Sequence, residues 1–180
     1  MAFLESLRTH MGRWMLRRQR RRGTVISGLR HFSELNEIGI LYRADQKQEE
    51  EAVHHFAAKL REEGKKVFLL GYVHSKQLPH TKKIHITSEF FWKEKLNFFN
   101  LPDKIKIGRF LDTPFDLLMN IYFDELLPMQ AISVYSKAKY RISAQNRHAL
   151  QYSDAVIDTG SNHDIYYLAS QMEHYLRVIK

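Results

Sequence analysis

The chain has 180 residues, 28 Lys and Arg against 20 Asp and Glu, a net charge of +8, and no cysteine. That length suits one domain with a self-sufficient core. The 44% apolar content, with only 8 Gly and 4 Pro, excludes disordered, collagen-like and low-complexity chains. The absence of cysteine excludes a disulfide scaffold, a Cys-based zinc or iron–sulfur site and a cysteine nucleophile. It leaves the redox compartment open, with a reducing cytoplasm as the default expectation. No apolar run reaches the roughly 18–20 residues of a membrane span.

The charge is concentrated at one end. Residues 1–30 hold Arg8, Arg13, Arg17, Arg18, Arg20, Arg21, Arg22 and Arg30 against a single acid, Glu5, so +7 of the +8 lies there. Residues 31–180 are nearly neutral, and arguments about charged partners concern the first segment. There Phe3, Leu4, Leu7, Met11, Trp14 and Met15 recur at steps of three and four, one stripe of an amphipathic helix over about residues 2–21. Arg13, Arg17, Arg20 and Arg21 fall mostly on another face, and Gly23 offers a stop. A secretory signal carries its charges before the apolar stretch, whereas here they follow it. An organellar presequence is also arginine-rich and acid-poor, so composition does not separate the two.

Three roles compete for this helix. Its stripe packs on the protein's own body, with the arginines in water; or Arg13, Arg17, Arg18, Arg20, Arg21 and Arg22, with Trp14 as a stacking ring, dock on RNA; or the stripe enters an anionic membrane surface. The clustering of six arginines within residues 13–22 favours RNA.

The remainder, residues 31–180, reads as one α/β domain. Ile38–Tyr42 is a buried strand, and residues 49–63 form a helix with Ala52, Val53, Phe56, Ala57 and Leu60 inward and Gly64 just past its end. Val67–Leu70 is a second strand, which completes a βαβ unit and implies a parallel sheet. Residues 84–87 offer a short strand. The aromatic run Phe90–Phe99 is either a stacking surface or, more commonly, the cover of a sheet. Residues 116–123 form a third core strand, 126–139 a helix with Pro128 in its first turn, 140–143 and 155–158 two more strands, and 162–179 a closing amphipathic helix. The expected fold is a Rossmann-like or flavodoxin-like sandwich of about five mostly parallel strands, helices on both faces, preceded by the basic helix.

The series Ile38-Gly-Ile-Leu, Lys66-Val-Phe-Leu-Leu-Gly, Phe115-Asp-Leu-Leu-Met-Asn and Ser136-Lys-Ala-Lys-Tyr-Arg-Ile142 resembles a family of short basic α/β proteins of unknown function from Bacteroidota. The stretch from Phe115 to Ile142 is also similar to the N-terminal half of heptosyltransferase-like glycosyltransferases, in strand–helix–strand grammar more than in function. Neither resemblance implies an activity.

Chemical motifs are sparse. There is no Gly-x-Gly-x-x-Gly after the first strand, no Walker loop and no Gly-x-Ser-x-Gly. Ligands of open α/β sheets sit beyond the carboxyl ends of the strands, which nominates Asp45, Asp124, Glu125, Asp158 and Thr159 as a crevice edge. Asp124-Glu125 is the best acid pair, for Mg²⁺ or for acid–base work, although acids before a helix also simply favour its N-terminal end. The spacings of His74, His80 and His85 match no zinc signature. No catalytic residue, metal or cofactor is assigned. The reading is a non-enzymatic RNA-binding protein, cytoplasmic and plausibly ribosome-associated, without DNA specificity. Alternatives are a peripheral membrane protein anchored by the same helix, and a small ligand-binding or enzymatic domain using the crevice.

Overall fold

A computed structural model describes the backbone of residues 2–23 and 31–178, and the side chains of residues 7–19 and 31–178. The order of elements is α1 (Ala2–Gly23), β1 (Glu37–Arg43), α2 (Lys47–Glu62), β2 (Lys66–Val73), β3 (Ser88–Trp92), α3 (Gly108–Asp112), β4 (Leu117–Ile121), α4 (Leu127–Tyr135), β5 (Tyr140–Ala144), β6 (Ala155–Ile157) and α5 (Ile165–Val178), joined by short 3₁₀ turns.

The six strands form one sheet in the order β3-β2-β1-β4-β5-β6, every neighbouring pair parallel. This is the Rossmann order rather than the flavodoxin one, and its direction reverses between β1 and β4. The register follows the apolar runs, with Ile38 facing Val67 on one side and Leu117 on the other. Alternation along the strands divides the core. Ile38, Ile40, Leu117, Met119 and Ile121 pack with α2 and α5, while Leu41, Leu70, Leu118 and Tyr122 pack with α3 and α4.

Local chemistry explains several boundaries. Gly64 follows α2 at φ +83°, a conformation that costs a side-chain-bearing residue but not glycine. Pro128 sits in the first turn of α4, where a missing N–H costs nothing. The helix expected over 126–139 ends earlier, at Tyr135, because Ser136 leaves the helical region and its hydroxyl accepts from Ala138 N. The strand expected over 84–87 is displaced as well. That segment is a loop with one bridge from His85 to Ser88, and the strand begins at Ser88. The aromatic run therefore supplies an edge strand, with Phe90 and Phe91 buried and only Phe98 strongly exposed.

Asp116 ties the amino end of the sheet. Its carboxylate accepts from Asn36 N at 2.9 Å, Glu37 N at 3.1 Å and Lys139 Nζ at 2.8 Å. Partial burial pushes its pKa up, but Lys139 and the two backbone donors outweigh that and hold it down at about 2.

Candidate functional site

Helix α1 lies outside the sandwich as an extra layer on α4 and, among its described residues, turns the apolar stripe away from the body. Trp14 is 61% exposed, Leu7 49%, Met11 47% and Met15 40%. The face that docks carries little apolar bulk. Leu16, 6% exposed, packs with Leu101, Leu127 and Ala131, and Gly12 makes the closest approach. A Cβ at Gly12 would stand 2.7 Å from the Phe99 carbonyl oxygen and 2.9 Å from Leu127 Cδ2, so only glycine lets the helix settle there. The role in which the stripe packs on the body is thus corrected for Leu7, Met11, Trp14 and Met15: a 3.6-residue period reveals a stripe but not the side from which the body approaches.

Polar grips hold α1 on its two flanks. On one, Arg8 donates to the Phe98 carbonyl and lies 4.5 Å over the Phe98 ring. On the other, Arg17 donates to Gln151 Oε1 at 3.0 Å and Arg13 meets Glu125 at 3.8 Å. Each gripping loop carries a large exposed apolar residue of its own, Phe98 and Leu150. Arg18 instead shares the outer face, 5.7 Å over the Trp14 ring. Of the arginines nominated for RNA, Arg13 and Arg17 are therefore engaged with the body and Arg18 is turned outward. The side chains of Arg20, Arg21 and Arg22, like those of Phe3 and Leu4, lie outside the described residues.

The crevice acids do not form one site. Arg43, at the end of β1, pairs with Asp124 at 2.6 Å and with Asp45 at 3.2 Å, which places an ion cluster where the sheet order reverses. Asp45 also accepts from His74 N at 2.7 Å. Burial lowers the Arg43 pKa, but the two carboxylates outweigh it and raise it, so the guanidinium stays charged. Glu125 faces the opposite way, toward Arg13 and toward His148 Nε2 at 3.7 Å. Burial, reinforced by Arg13 and Arg17 against Glu125, pulls the His148 pKa down. Asp158 and Thr159 follow β6, at the far edge of the sheet, where Asp158 accepts from Gly160 N at 2.8 Å in a turn. The nominated set is thus split, because the carboxyl-end rule says which end of a strand matters but not the order of strands.

Three lysines of the body are paired with acids. Lys82 pairs with Glu50, Lys137 with Asp112 and Lys139 with Asp116. Among the described residues no three His, Asp or Glu side chains converge as metal ligands, and no helix is long and apolar enough to cross a membrane.

A cleft of about 540 Å³ opens beside the ion cluster, at the carboxyl ends of β2 and β4, with Arg8 and Thr9 of α1 forming one wall. Its other walls come from the segments after β2, β3 and β4, including His74, Lys76, Lys93, Asn97 and Pro128. Of the cleft lining, only Glu125 is among the crevice residues expected from the sequence, because the cleft exists only once α1 lies on α4.

The family profile of DUF6913, a family of unknown function, matches residues 8–179. The chain belongs to the DUF6913 family. The match takes in the α1 residues that dock, Gly12 and Leu16, as well as the sheet. No curated protein matches the DUF6913 chain.

Proposed function

We propose that the protein is a peripheral membrane-surface protein that docks on anionic lipid through the outer face of α1. The observation that carries this reading is the outward stripe of Leu7, Met11, Trp14 and Met15 on a helix that is itself fixed to the body by its other face. A helix that merely covered a core would bury that stripe. Charge supports the same occupant. Eight arginines against one acid in residues 1–30 attract an anionic surface, while the rest of the chain is nearly neutral. A Trp–Leu–Met face bordered by arginine matches the headgroup boundary, where the ring and apolar chains enter and guanidiniums meet phosphate. Phe98 and Leu150, exposed on the two loops that grip α1, widen the apolar contact.

RNA docking is the second reading, favoured by Arg18 stacked on Trp14 with three further arginines after it in sequence. A particle-bound role, such as association with ribosomes, belongs to this reading.

Co-sedimentation with phosphatidylglycerol vesicles and with total RNA separates them. On the lipid reading, serine at Leu7, Met11 and Trp14 together weakens vesicle binding by roughly two orders of magnitude, since each of these half-exposed side chains gains about half of the roughly 1.5–3 kcal/mol of full burial. Binding to RNA that survives those substitutions and collapses when Arg18, Arg20, Arg21 and Arg22 become Gln would instead establish the RNA reading.

A further inference from the structure

We infer that the cleft between α1 and the carboxyl ends of β2 and β4 is a binding site for a small phosphate-bearing molecule. This inference does not rest on lipid docking. The argument begins with donors and acceptors. Asn97 Oδ1 already accepts from Phe99 N at 2.9 Å and from Leu101 N at 3.1 Å, so the amide is oriented and its NH₂ remains as a donor at the cleft wall. Asn100 Oδ1 faces Arg8 Nη2 at 3.5 Å, a single longer contact. Lys76 and Lys93 line the cleft, and their ammonium groups have no ion-pair or hydrogen-bond partner among the described residues. The first turn of the nine-residue helix α4 opens on the same space but adds little more than the Leu127 N–H, because Pro128 has none and the N–H groups of Leu126, Met129 and Gln130 already donate to the carbonyls of Asp124 and Leu126. The acids in the lining are Glu94 and Glu125, and Glu125 is already engaged by Arg13 and His148. Arg8, Lys76 and Lys93, with the oriented Asn97 amide, outweigh the lining carboxylates Glu94 and Glu125, and a wall of that charge selects an anion with several oxygens.

Size and the remaining lining narrow the class. About 540 Å³ far exceeds a single phosphate and falls in the range of sites for small organic ligands. Leu96, Leu126 and Pro128 supply an apolar patch beside the donors. The ligand is therefore a phosphorylated molecule with an apolar or aromatic portion, of the size of a nucleoside phosphate. The location agrees with the general rule for open parallel sheets, in which ligands lie outside the carboxyl ends of the strands. Here the reversal point itself is filled by Arg43, Asp45 and Asp124, and the cleft is displaced toward β2 and α4.

The probes are sodium pyrophosphate and ADP, titrated calorimetrically into the full chain at about 50 mM salt, where charge contacts are only partly screened. The expected result is binding of ADP tighter than about 100 µM, equivalent to roughly 5.5 kcal/mol, with pyrophosphate weaker. Lys76→Glu with Lys93→Glu lowers ADP affinity at least about 10-fold, and the Asn97 and Asn100 side-chain amide resonances shift on ADP addition. Both lysines are exposed, so the double variant retains the fold, which far-UV circular dichroism checks. Absence of binding by either probe below about 1 mM overturns the inference. So does binding that the double variant leaves intact while the Asn97 and Asn100 signals stay in place, because the anion is then held by the arginine run.

Discussion

Asp116 and Gly12 illustrate two kinds of residue that hold this molecule together, one through charge and one through the absence of a side chain. The Asp116 carboxylate joins the start of β1, through Asn36 and Glu37, to Lys139 before β5. Its pKa of about 2 lies below the ordinary 3.8, so the native state binds its proton less readily than the unfolded chain. The stability it supplies is fully present above about pH 4 and is lost as pH falls through about 2. Urea denaturation should find Asp116→Asn less stable by about 1–3 kcal/mol at pH 7, since two backbone donors lose a charged acceptor. The gap between variant and wild type should shrink markedly by about pH 2.5; a gap that persists would remove the carboxylate's charge from the account. Asp116 stands in the sequence as one polar residue before an apolar run, and its role depends on a register between β1 and β4 that the sequence does not state.

At the scale of elements, β1, α2, β2, β4 and α5 were legible because their apolar spacing is unambiguous and their stops are chemical: Gly64 after α2, and Lys65-Lys66 leading into β2. The edge strand β3 was hidden. Phe90, Phe91 and Trp92 are consecutive aromatics flanked by Glu89 and Lys93, without the alternation of a half-buried strand or the length of a helix. Helix α1 was legible as a helix, but its docking side was not. That side is chosen by Gly12, and hydropathy patterns give no weight to a residue whose contribution is to let a carbonyl and a leucine come close. Gly12→Ala isolates this effect. Alanine raises the intrinsic helix preference by about 1 kcal/mol, yet its methyl meets the Phe99 carbonyl. Hydrogen exchange should therefore show α1 amides less protected in Gly12→Ala, by about 1–3 kcal/mol of opening free energy, with the sheet unaffected. Increased protection would mean that α1 packs by some other contact.

At the scale of the whole molecule, a nearly neutral Rossmann-order domain carries a basic helix whose docked face is narrow and whose outward face is apolar. The charge asymmetry was plain in the sequence, and so were the three candidate roles of the helix. What sets the self-packing role apart from the other two is an orientation, fixed by tertiary contacts of Gly12, Leu16, Arg8 and Arg17 with α4 and its neighbouring loops. The crevice acids show the converse: five residues named by one rule were dispersed by strand order into an ion cluster, a contact with α1 and a turn at the sheet's far edge.

The most direct test reads Trp14 itself. The chain has two tryptophans, so Trp92→Phe leaves Trp14 as the sole indole emitter. Added phosphatidylglycerol vesicles should shift its emission to the blue, and acyl chains brominated near the headgroup should quench it, because the account places this ring at the lipid boundary. Emission that stays red and unquenched in the presence of saturating vesicles would contradict the account at its centre.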